Sequence, residues 1–378
     1  MKRPARREKV RVAIIGARGI ANYGGFESYV AQLAPRLAAT GFAVTCSCEK
    51  DGQEQPSFYK GAKLRYFPFR PPRNYTYRKM FEIAYDIYFI LRSDYDIVYG
   101  LNANAGPFYL YPRLLGKGSI VNIDGMDWVR SKYNRYEKFF FKVLYLLVEG
   151  TARRVAIDSK FMRNHVPPRF RDKLVYAPNG VNVADAPVFS GTYITVNGKT
   201  IERGKYWLVV ARLEPENNID MMIRGYASSK SGKPLFITGN FTSEKYQERI
   251  KGLISELGAT KRVHLIGGIY DRSVLDVIRG GCFGYIHGHS VGGTNPSLLE
   301  IMSMSRIVLA FDTGFNREVG EETLLYFRSS AELAGLIKKV EESYGDYLHL
   351  EELARQRVSQ TYEWDRIIVQ YYSLFSTP

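Results

Sequence analysis

The chain has 378 residues, of which 45% are hydrophobic, so it can bury two cores and two domains are expected. Its three cysteines, Cys46, Cys48 and Cys282, exclude a disulfide framework and indicate a reduced, cytoplasmic protein. The basic start leads directly into an apolar strand, and no apolar run approaches the roughly 20 residues of a membrane span, so neither a signal peptide nor a transmembrane segment is predicted.

The charge of the chain is unevenly distributed. Residues 1–183 carry 31 of the 53 Lys and Arg but only 15 of the 38 Asp and Glu, a net charge of +16. The remaining residues have a net charge of −1, so the whole excess lies in the first half. Such asymmetry is typical of a chain that meets a polyanion or an anionic membrane.

The first half alternates apolar runs with segments of helical periodicity. Strands are predicted at 10–15, 43–47, 64–67, 96–99, 119–123, 154–157 and 175–177. Helices are predicted at 26–40, 78–92, 136–152 and 160–165. This alternation predicts an α/β domain with a doubly wound parallel sheet.

The pattern restarts after residues 185–204, where Asn197-Gly198 between two β-branched runs predicts a hairpin. Strands are predicted at 206–210, 235–238, 263–266, 283–287 and 307–311. Helices are predicted at 218–228, 243–257, 271–280, 296–304 and 364–375. The predicted organisation is a domain over 1–183, a second over 184–358, and a C-terminal helix within 359–378 that packs back on the first.

The segment 287–300 carries the clearest functional signal. A Gly-Gly-Thr turn at 292–294 leaves backbone N–H groups bare at the start of a helix, where they favour an anion. Asn295 or Ser297 can cap that helix, and Glu300 follows about one turn later. This arrangement suits a nucleotide diphosphate, and the alternative is an ordinary capped strand–turn–helix junction.

Six segments in order resemble the retaining nucleotide-sugar glycosyltransferases of GT-B family four. The resemblance covers nearly the whole chain and is strongest to a bacterial branch with a formerly uncharacterised N-terminal domain, which includes many rhamnosyltransferases. It implies two Rossmann-like domains with a cleft between them, a nucleotide-sugar donor, and no metal or cofactor. The segments are 16–27, 122–132, 158–159 with 178–181, 211–218, 292–300 and 364–365.

The donor loop departs from the family pattern at two positions. Gly292 stands where most members have a Glu, so only Glu300 remains of an acidic pair, and Asn217 replaces a familiar Lys. Arg212 remains, and its planar fork can bind phosphate through two hydrogen bonds. We therefore expect Arg212 and the amides of 293–294 to hold the diphosphate, and the resemblance assigns the sugar hydroxyls to Glu300.

The resemblance implies a front-face displacement, in which the leaving diphosphate takes the acceptor proton and the protein stabilises the developing charge. Asp124 lies where the family has a residue facing the donor sugar, although it can instead be a turn residue before Gly125. The predicted catalytic residues are Asp124, Arg212 and Glu300. The predicted donor-binding residues are Gly24, Gly25, Arg212, His289, Gly292, Gly293, Thr294, Asn295 and Glu300. The predicted acceptor-binding residues are Tyr23, Phe26, Glu27, Trp128 and Arg130.

Two pairs of residues suggest a metal site. His287 and His289 invite zinc but lack a third ligand, so we expect one near the nucleotide and the other satisfied in the core. Asp94-x-Asp96 resembles a metal-binding motif but precedes a strand far from the donor loop. No metal is therefore predicted. The acids of the loop at 214 and 216 are expected to be solvated.

Two other classes of protein are weighed against a glycosyltransferase. Gly16-x-x-Gly19 is not the dinucleotide fingerprint of a dehydrogenase, and Glu49 follows the second strand too late to be its terminal acid. The basic, aromatic first half suits a nucleic-acid-binding protein, but the neutral second half with its nucleotide loop does not. No nucleic-acid partner is expected.

The predicted activity is transfer of a hexose, L-rhamnose from dTDP-L-rhamnose, to a lipid-linked saccharide in bacterial surface polysaccharide synthesis. A UDP- or GDP-linked sugar is the alternative donor. The segments 65–92 and 128–154 are basic and aromatic. The second contains the apolar run 138–147, which is too short to span a membrane but suited to an interface. We therefore expect a cytoplasmic protein bound peripherally to the anionic inner face of the plasma membrane.

Overall fold

The computed structural model describes residues 9–20, 25–50, 55–72, 75–130, 133–183 and 191–376. The chain forms two compact units. The first comprises Met1–Trp128, Tyr133–Pro178 and Asp365–Pro378, and the second comprises Val129–Lys132 and Asn179–Trp364. The divisions lie a few residues from those expected, and the short segment Val129–Lys132 joins the second unit.

Within the described residues, the first unit contains an eight-stranded sheet in the order β3-β4-β2-β1-β5-β6-β7-β8. All neighbouring strands are parallel except β3 and β4. The strands are β1 (Arg11–Ile15), β2 (Ala43–Cys48), β3 (Phe58–Tyr59), β4 (Ala62–Tyr66), β5 (Ile97–Gly100), β6 (Gly118–Asn122), β7 (Arg154–Ile157) and β8 (Leu174–Tyr176). The helices are α1 (Gly25–Ala39), α2 (Tyr75–Arg92), α3 (Leu110–Leu114) and α4 (Arg135–Thr151). Short 3-10 turns cover Gly106–Tyr109, Lys160–His165 and Pro168–Lys173.

The central strand β1 shows why the apolar runs form this sheet. Four of its five residues are buried, as expected for a parallel strand covered on both faces. Gly16 ends the strand with φ at 101°, in the region that favours glycine. A side chain there would bring its Cβ within 2.6 Å of the Asn102 amide nitrogen, so the turn after β1 requires glycine.

The last helix of the chain, α12 (Trp364–Ser376), contributes most of its length to the first unit. The Tyr371 hydroxyl lies 2.5 Å from that of Tyr29 and donates to the Ala177 carbonyl at 2.8 Å. The Tyr29 hydroxyl is also 3.0 Å from that of Tyr99 in β5. Three buried tyrosines therefore hold α12 against α1 and the sheet.

Within the described residues, the second unit contains a six-stranded parallel sheet in the order β13-β12-β11-β14-β15-β16. Its strands are β11 (Trp207–Val210), β12 (Leu235–Thr238), β13 (Val263–Gly267), β14 (Gly284–His287), β15 (Ile307–Phe311) and β16 (Leu325–Phe327). A separate hairpin joins β9 (Tyr193–Val196) to β10 (Lys199–Glu202). The helices are α5 (Ile219–Ser229), α6 (Glu244–Glu256), α7 (Arg272–Gly281), α8 (Pro296–Met302), α9 (Gly314–Gly320), α10 (Ser330–Glu342) and α11 (Tyr344–Thr361).

The observed elements confirm the predicted strands and most of the predicted helices. The hairpin turn is at Asn197 and Gly198, with φ values of 48° and 74° that suit a two-residue turn of this kind. The segment 160–165 is a 3-10 turn instead of an α-helix, and α8 ends at Met302, two residues early. Two strands, β3 and β16, and four helices, α3, α9, α10 and α11, were not predicted from the sequence.

Candidate functional site

The strand order of the second sheet places two loops side by side. Strands β11 and β14 are neighbours, and the chain proceeds to opposite edges of the sheet from them. Ligands of doubly wound sheets bind at the carboxyl ends of strands at such a switch point. The loops that follow are 211–218 and 288–295, and a Cβ on Gly288 would collide with the Asn217 carbonyl, so the two loops touch.

A side-chain hydrogen bond fixes the orientation of His289 between these loops. The Asn217 amide nitrogen donates to the Arg212 carbonyl at 2.7 Å, which turns its oxygen toward Nδ1 of His289 at 2.8 Å. Nδ1 must therefore carry the hydrogen, and Nε2 is left as an acceptor. Burial, with His287 and the positive charges of Arg130 and Arg212, holds the pKa of His289 well below its usual range. His289 is neutral at physiological pH.

Two arginines share one buried carboxylate beside this histidine. Glu214 Oε1 lies 3.2 Å from Nη2 of Arg212 and 3.8 Å from Nη1 of Arg130. The expectation that Glu214 and Glu216 are solvated is wrong, because both side chains are buried. The two arginines offset the negative charge of Glu214. The backbone carbonyl of Glu216 accepts from the Ser290 hydroxyl at 2.8 Å, which is a further contact between loops 211–218 and 288–295.

The turn before α8 has the predicted cap. The Asn295 side chain accepts from the backbone N–H of Ser297 at 2.9 Å, and Pro296 opens the helix. Gly292 has φ at 120°, a conformation that side-chain-bearing residues rarely adopt, so a Glu at this position would be strained in the backbone conformation seen here. The carbonyl of the buried Thr294 accepts from the Asn179 amide at 3.3 Å, so the turn is tied to the start of the second unit.

Glu300 lies on α8 with both carboxylate oxygens facing arginines. Oε2 is 2.5 Å from Nη2 of Arg279, and Oε1 is 3.4 Å from Nη2 of Arg272. Both arginines are on α7, and sequence analysis did not single them out. Because they are seven residues apart, they lie on one face of α7. This spacing could have identified them as a pair from the sequence. A carboxylate has about four acceptor sites, so sugar hydroxyls can still bind there, and that role stays a prediction.

In the first unit, Asp124 follows β6 and links it to the next strand. Its Oδ1 accepts from the backbone N–H of Asp158 at 2.9 Å, while its own N–H donates to the Asn122 side chain at 2.8 Å. Burial raises the pKa of Asp124 to about 6, and the hydrogen bonds from Asp158 and Asn122 offset part of this rise. The geometry fits a turn residue and also an acid that titrates near neutrality, so its catalytic role stays a prediction.

The residues expected to bind the acceptor are distributed over both units. The Glu27 carboxylate accepts from the backbone N–H of Arg18 at 3.0 Å and is buried. Trp128 packs edge-on against Tyr145 with ring centroids 4.4 Å apart. Arg130, by contrast, belongs to the second unit and lies beside Glu214.

The glycine loop of the first unit is only partly described. Gly25 is exposed and opens α1, with nothing within 4 Å of the position that a Cβ would take. Phe26 follows it and is half-buried. Tyr23 and Gly24 lie outside the described residues, and the roles expected of all four stay predictions.

The acids of one candidate metal motif pair with an arginine, and the histidines of the other lie beside one another. Asp94 and Asp96 pair with Arg11 at 2.6 Å and 2.7 Å. His287 is buried beside the ring of His289, and burial lowers its pKa to about 3. Its Nε2 has no hydrogen-bond partner among the described residues, so it is a core residue but not the satisfied one expected. No group of three or more His, Cys, Asp or Glu in the described chain could hold a metal.

Sequence comparisons identify the family. The family model Glycosyltransferase Family 4 matches residues 23–185, and the model Glycosyl transferases group 1 matches residues 196–357. A search of curated proteins found no match.

Among the helices that the structure describes, none has both the length and the hydropathy of a transmembrane segment.

Structural comparisons show the fold. Sucrose-phosphate synthase from Thermosynechococcus elongatus is 17% identical with a TM-score of 0.77, covering 98% of this chain and 100% of its own. Anabaena HepE in complex with UDP is 14% identical with a TM-score of 0.72 and the same coverage. A glycosyltransferase from Rickettsia africae is 15% identical with a TM-score of 0.70, covering 97% of this chain and 98% of its own.

The largely parallel first sheet, the parallel second sheet and the structural neighbours show an α/β protein with the GT-B fold, as predicted. The two family matches together span most of the chain. The chain belongs to the GT-B glycosyltransferases of the family 4 and group 1 type, which use a nucleotide sugar.

Proposed function

We propose that the protein is a retaining hexosyltransferase that moves L-rhamnose from dTDP-L-rhamnose to a lipid-linked saccharide in bacterial surface polysaccharide synthesis. The contact of loops 211–218 and 288–295 carries the donor part of this proposal. It joins a guanidinium, a neutral histidine and a capped helix start at one switch point. These groups can bind phosphate oxygens and sugar hydroxyls together.

Arg212, His289 and Glu300 would each bind a different part of the donor. Arg212 is 51% exposed, so its free N–H groups can reach a phosphate while one side faces Glu214. His289 presents Nε2 as an acceptor, which suits a hydroxyl of the donor. Glu300, steered by Arg279, offers its remaining acceptor sites to a second hydroxyl. Together they would bind the donor from diphosphate to sugar.

The ion pairing of Glu214 supports a front-face displacement. In this mechanism the acceptor oxygen bonds to the anomeric carbon as the bond to the diphosphate breaks, and the acceptor proton moves to the departing diphosphate oxygen. The Glu214 side chain is 3% exposed and its Oε1 faces two arginines, which argues against its direct attack on the donor sugar. Arg212 would stabilise the charge that develops on the leaving group, an effect typically worth about 3–4 kcal/mol.

The identity of the donor is tested directly with a panel. The choice of dTDP-L-rhamnose rests on the sequence resemblance, whereas HepE binds UDP-glucose and makes a UDP-sugar the alternative. We would incubate purified protein with dTDP-L-rhamnose, dTDP-glucose, UDP-glucose and GDP-mannose, with and without EDTA, and measure nucleoside diphosphate release. Release from dTDP-L-rhamnose alone is expected. Release only from another donor would overturn the rhamnose assignment, and release from none would overturn the donor site.

The surface of α4 supports the proposed attachment to a membrane. One face of the helix is buried through Phe141, Leu144 and Val148. The other face exposes Phe139, at 70% of its surface, and Phe140, and it carries several basic residues. The helix therefore divides the apolar stripe between the core and solvent.

Exposed apolar side chains also lie in and after a turn that contacts the buried face of α4. The turn Gly106–Tyr109 packs against the helix, since a Cβ on Gly106 would lie 3.0 Å from Leu144. Phe108 in this turn and Leu114 and Leu115 just after it are exposed, Leu114 at 75%. Apolar side chains framed by lysine and arginine suit the interface of an anionic bilayer, where each basic residue contributes about 1 kcal/mol.

Liposome flotation tests this attachment. The protein should float with anionic liposomes at low salt and be released by about half-molar salt, because screening shortens the reach of the charges. The double variant Phe139→Ser with Phe140→Ser should float poorly. The matched control is Leu348→Ser with Leu353→Ser, which alters exposed leucines of α11. Equal flotation with neutral and anionic liposomes, or equal loss in both double variants, would overturn the attachment.

A further inference from the structure

The segment Val129–Lys132 brings a second arginine to the donor loops. It belongs to the second unit although the sequence on both sides belongs to the first. Arg130 Nη1 lies 3.8 Å from the Glu214 oxygen that also faces Arg212. Its positive charge also contributes to the lowered pKa of His289, so it lies near both donor loops.

Arg130 brings a second positive charge to the carboxylate that Arg212 faces. The negative charge of Glu214 offsets part of the attraction of Arg212 for an anion, and the charge of Arg130 strengthens that attraction. Asn217 cannot supply such a charge, because an amide is uncharged and this one is occupied by the Arg212 carbonyl and His289.

The ion pair between Arg130 and Glu214 is buried, which limits the movement of both side chains. The Glu214 side chain is 3% exposed and that of Arg130 is 13% exposed. A buried carboxylate needs a partner, and removing one leaves an uncompensated charge. Glu214 is therefore placed to hold both guanidinium groups at the loops before a ligand binds. Because the two arginine side chains are already ordered, ligand binding costs less conformational entropy.

We infer that Arg130 is a donor-binding residue that supplies the second cation for the diphosphate, and that Glu214 is a positioning residue for both arginines. This inference rests on the donor site proposed above and assigns Arg130 to the diphosphate instead of the acceptor. The Arg130 guanidinium would face the phosphate oxygens that carry the charge released when the bond to the sugar breaks. It would thus bind the donor and its leaving group alike.

Calorimetric titration with dTDP, UDP and dTMP tests the inference. Arg130→Met should weaken binding of the diphosphate that wild type prefers by at least about tenfold, the scale of one charge-assisted hydrogen bond. Its effect on dTMP should be much smaller, because the nucleoside and first phosphate keep their contacts. Arg212→Met is the positive control. Arg224→Met is the matched negative control, since Arg224 pairs with Glu256 at the surface of the same unit.

The outcomes separate the inference from the proposed function. If wild type binds neither diphosphate, the donor site and the inference both fail. If Arg212→Met weakens binding and Arg130→Met does not, the inference fails and the donor site stands. If Arg130→Met is less stable than Arg224→Met, Arg130→Gln and Arg130→Lys replace it. Lys should then restore much of the affinity that Gln loses, and equal affinities would overturn the inference.

Discussion

Arg279 is buried in α7 and places Nη2 2.5 Å from Oε2 of Glu300 on α8. The Arg279 side chain is 4% exposed, and Asp276 lies 3.1 Å from its Nη1. The acid expected to hold the donor sugar is therefore also part of a buried ion-pair network. We therefore expect substitutions at Glu300 to lower the stability of the second unit as well as the activity.

The first prediction separates these two effects at Glu300. Glu300→Ala should cut transfer at least about a hundredfold and lower the free energy of unfolding by about 2–4 kcal/mol, because Arg279 loses its closest partner. Glu300→Ala with Arg279→Met should recover part of the stability but not the activity. Thermal unfolding and donor hydrolysis measure the two quantities. A stable, inactive Glu300→Ala would show that the ion pair contributes little to the fold.

The second prediction concerns Arg212. Arg212→Ala should lower transfer at least about a hundredfold, the loss expected for one group that stabilises charge in the transition state. Its fold should persist, because the side chain is half exposed and Arg130 still faces Glu214. Arg224→Ala is the control for removal of a surface arginine. Near-wild-type turnover with Arg212→Ala would reject the assigned phosphate site.

Much of the fold could be predicted because buried parallel strands are short apolar runs. The bounds of β7, β12 and β15 match the predicted ranges. Helix α11 was missed because only a narrow stripe of its residues is buried, namely Leu350, Ala354 and Val358. Charged residues surround that stripe, so the segment has little helical amphipathicity to detect.

Only those features of the site that lie within a single segment of the sequence could be predicted. The helix cap and the glycine turn are local features, so the sequence located the turn and limited the cap to Asn295 or Ser297, of which the structure shows Asn295. The contact between Asn217 and His289 depends on β11 lying beside β14, an adjacency that periodicity cannot specify. The burial of Glu214 likewise depends on Arg130, which a distant segment contributes.

The third prediction concerns Asp86 in α2. Burial raises the pKa of this carboxyl group to about 8. Because the folded state binds this proton more tightly than the unfolded state, the contribution of Asp86 to stability is greatest at low pH and is lost as pH rises from about 4 to about 8. Asp86→Asn should remove this loss, so the variant should exceed wild type at pH 8 by a margin that shrinks toward pH 5. Urea unfolding at several pH values measures the margin.

The control for Asp86 is Asp346→Asn, an exposed aspartate in the first turn of α11. It removes the same charge without removing a buried group. Its margin over wild type should not grow between pH 5 and pH 8. A margin for Asp86→Asn that is equally constant would show that the carboxyl group does not titrate in this range.

The fourth prediction concerns Tyr371, through which α12 is attached to the first unit. Tyr371→Phe removes the donor to the Ala177 carbonyl at 2.8 Å and the contact with the Tyr29 hydroxyl, leaving both groups buried without that partner. Such a loss typically costs about 1–3 kcal/mol, and the ring packing against Phe375 is kept. The midpoint of thermal unfolding of the first unit should fall accordingly. Tyr372→Phe, which alters a half-exposed neighbour on the same helix, should leave it unchanged. Equal midpoints for the two variants would mean that the tyrosine cluster holds α12 by packing alone.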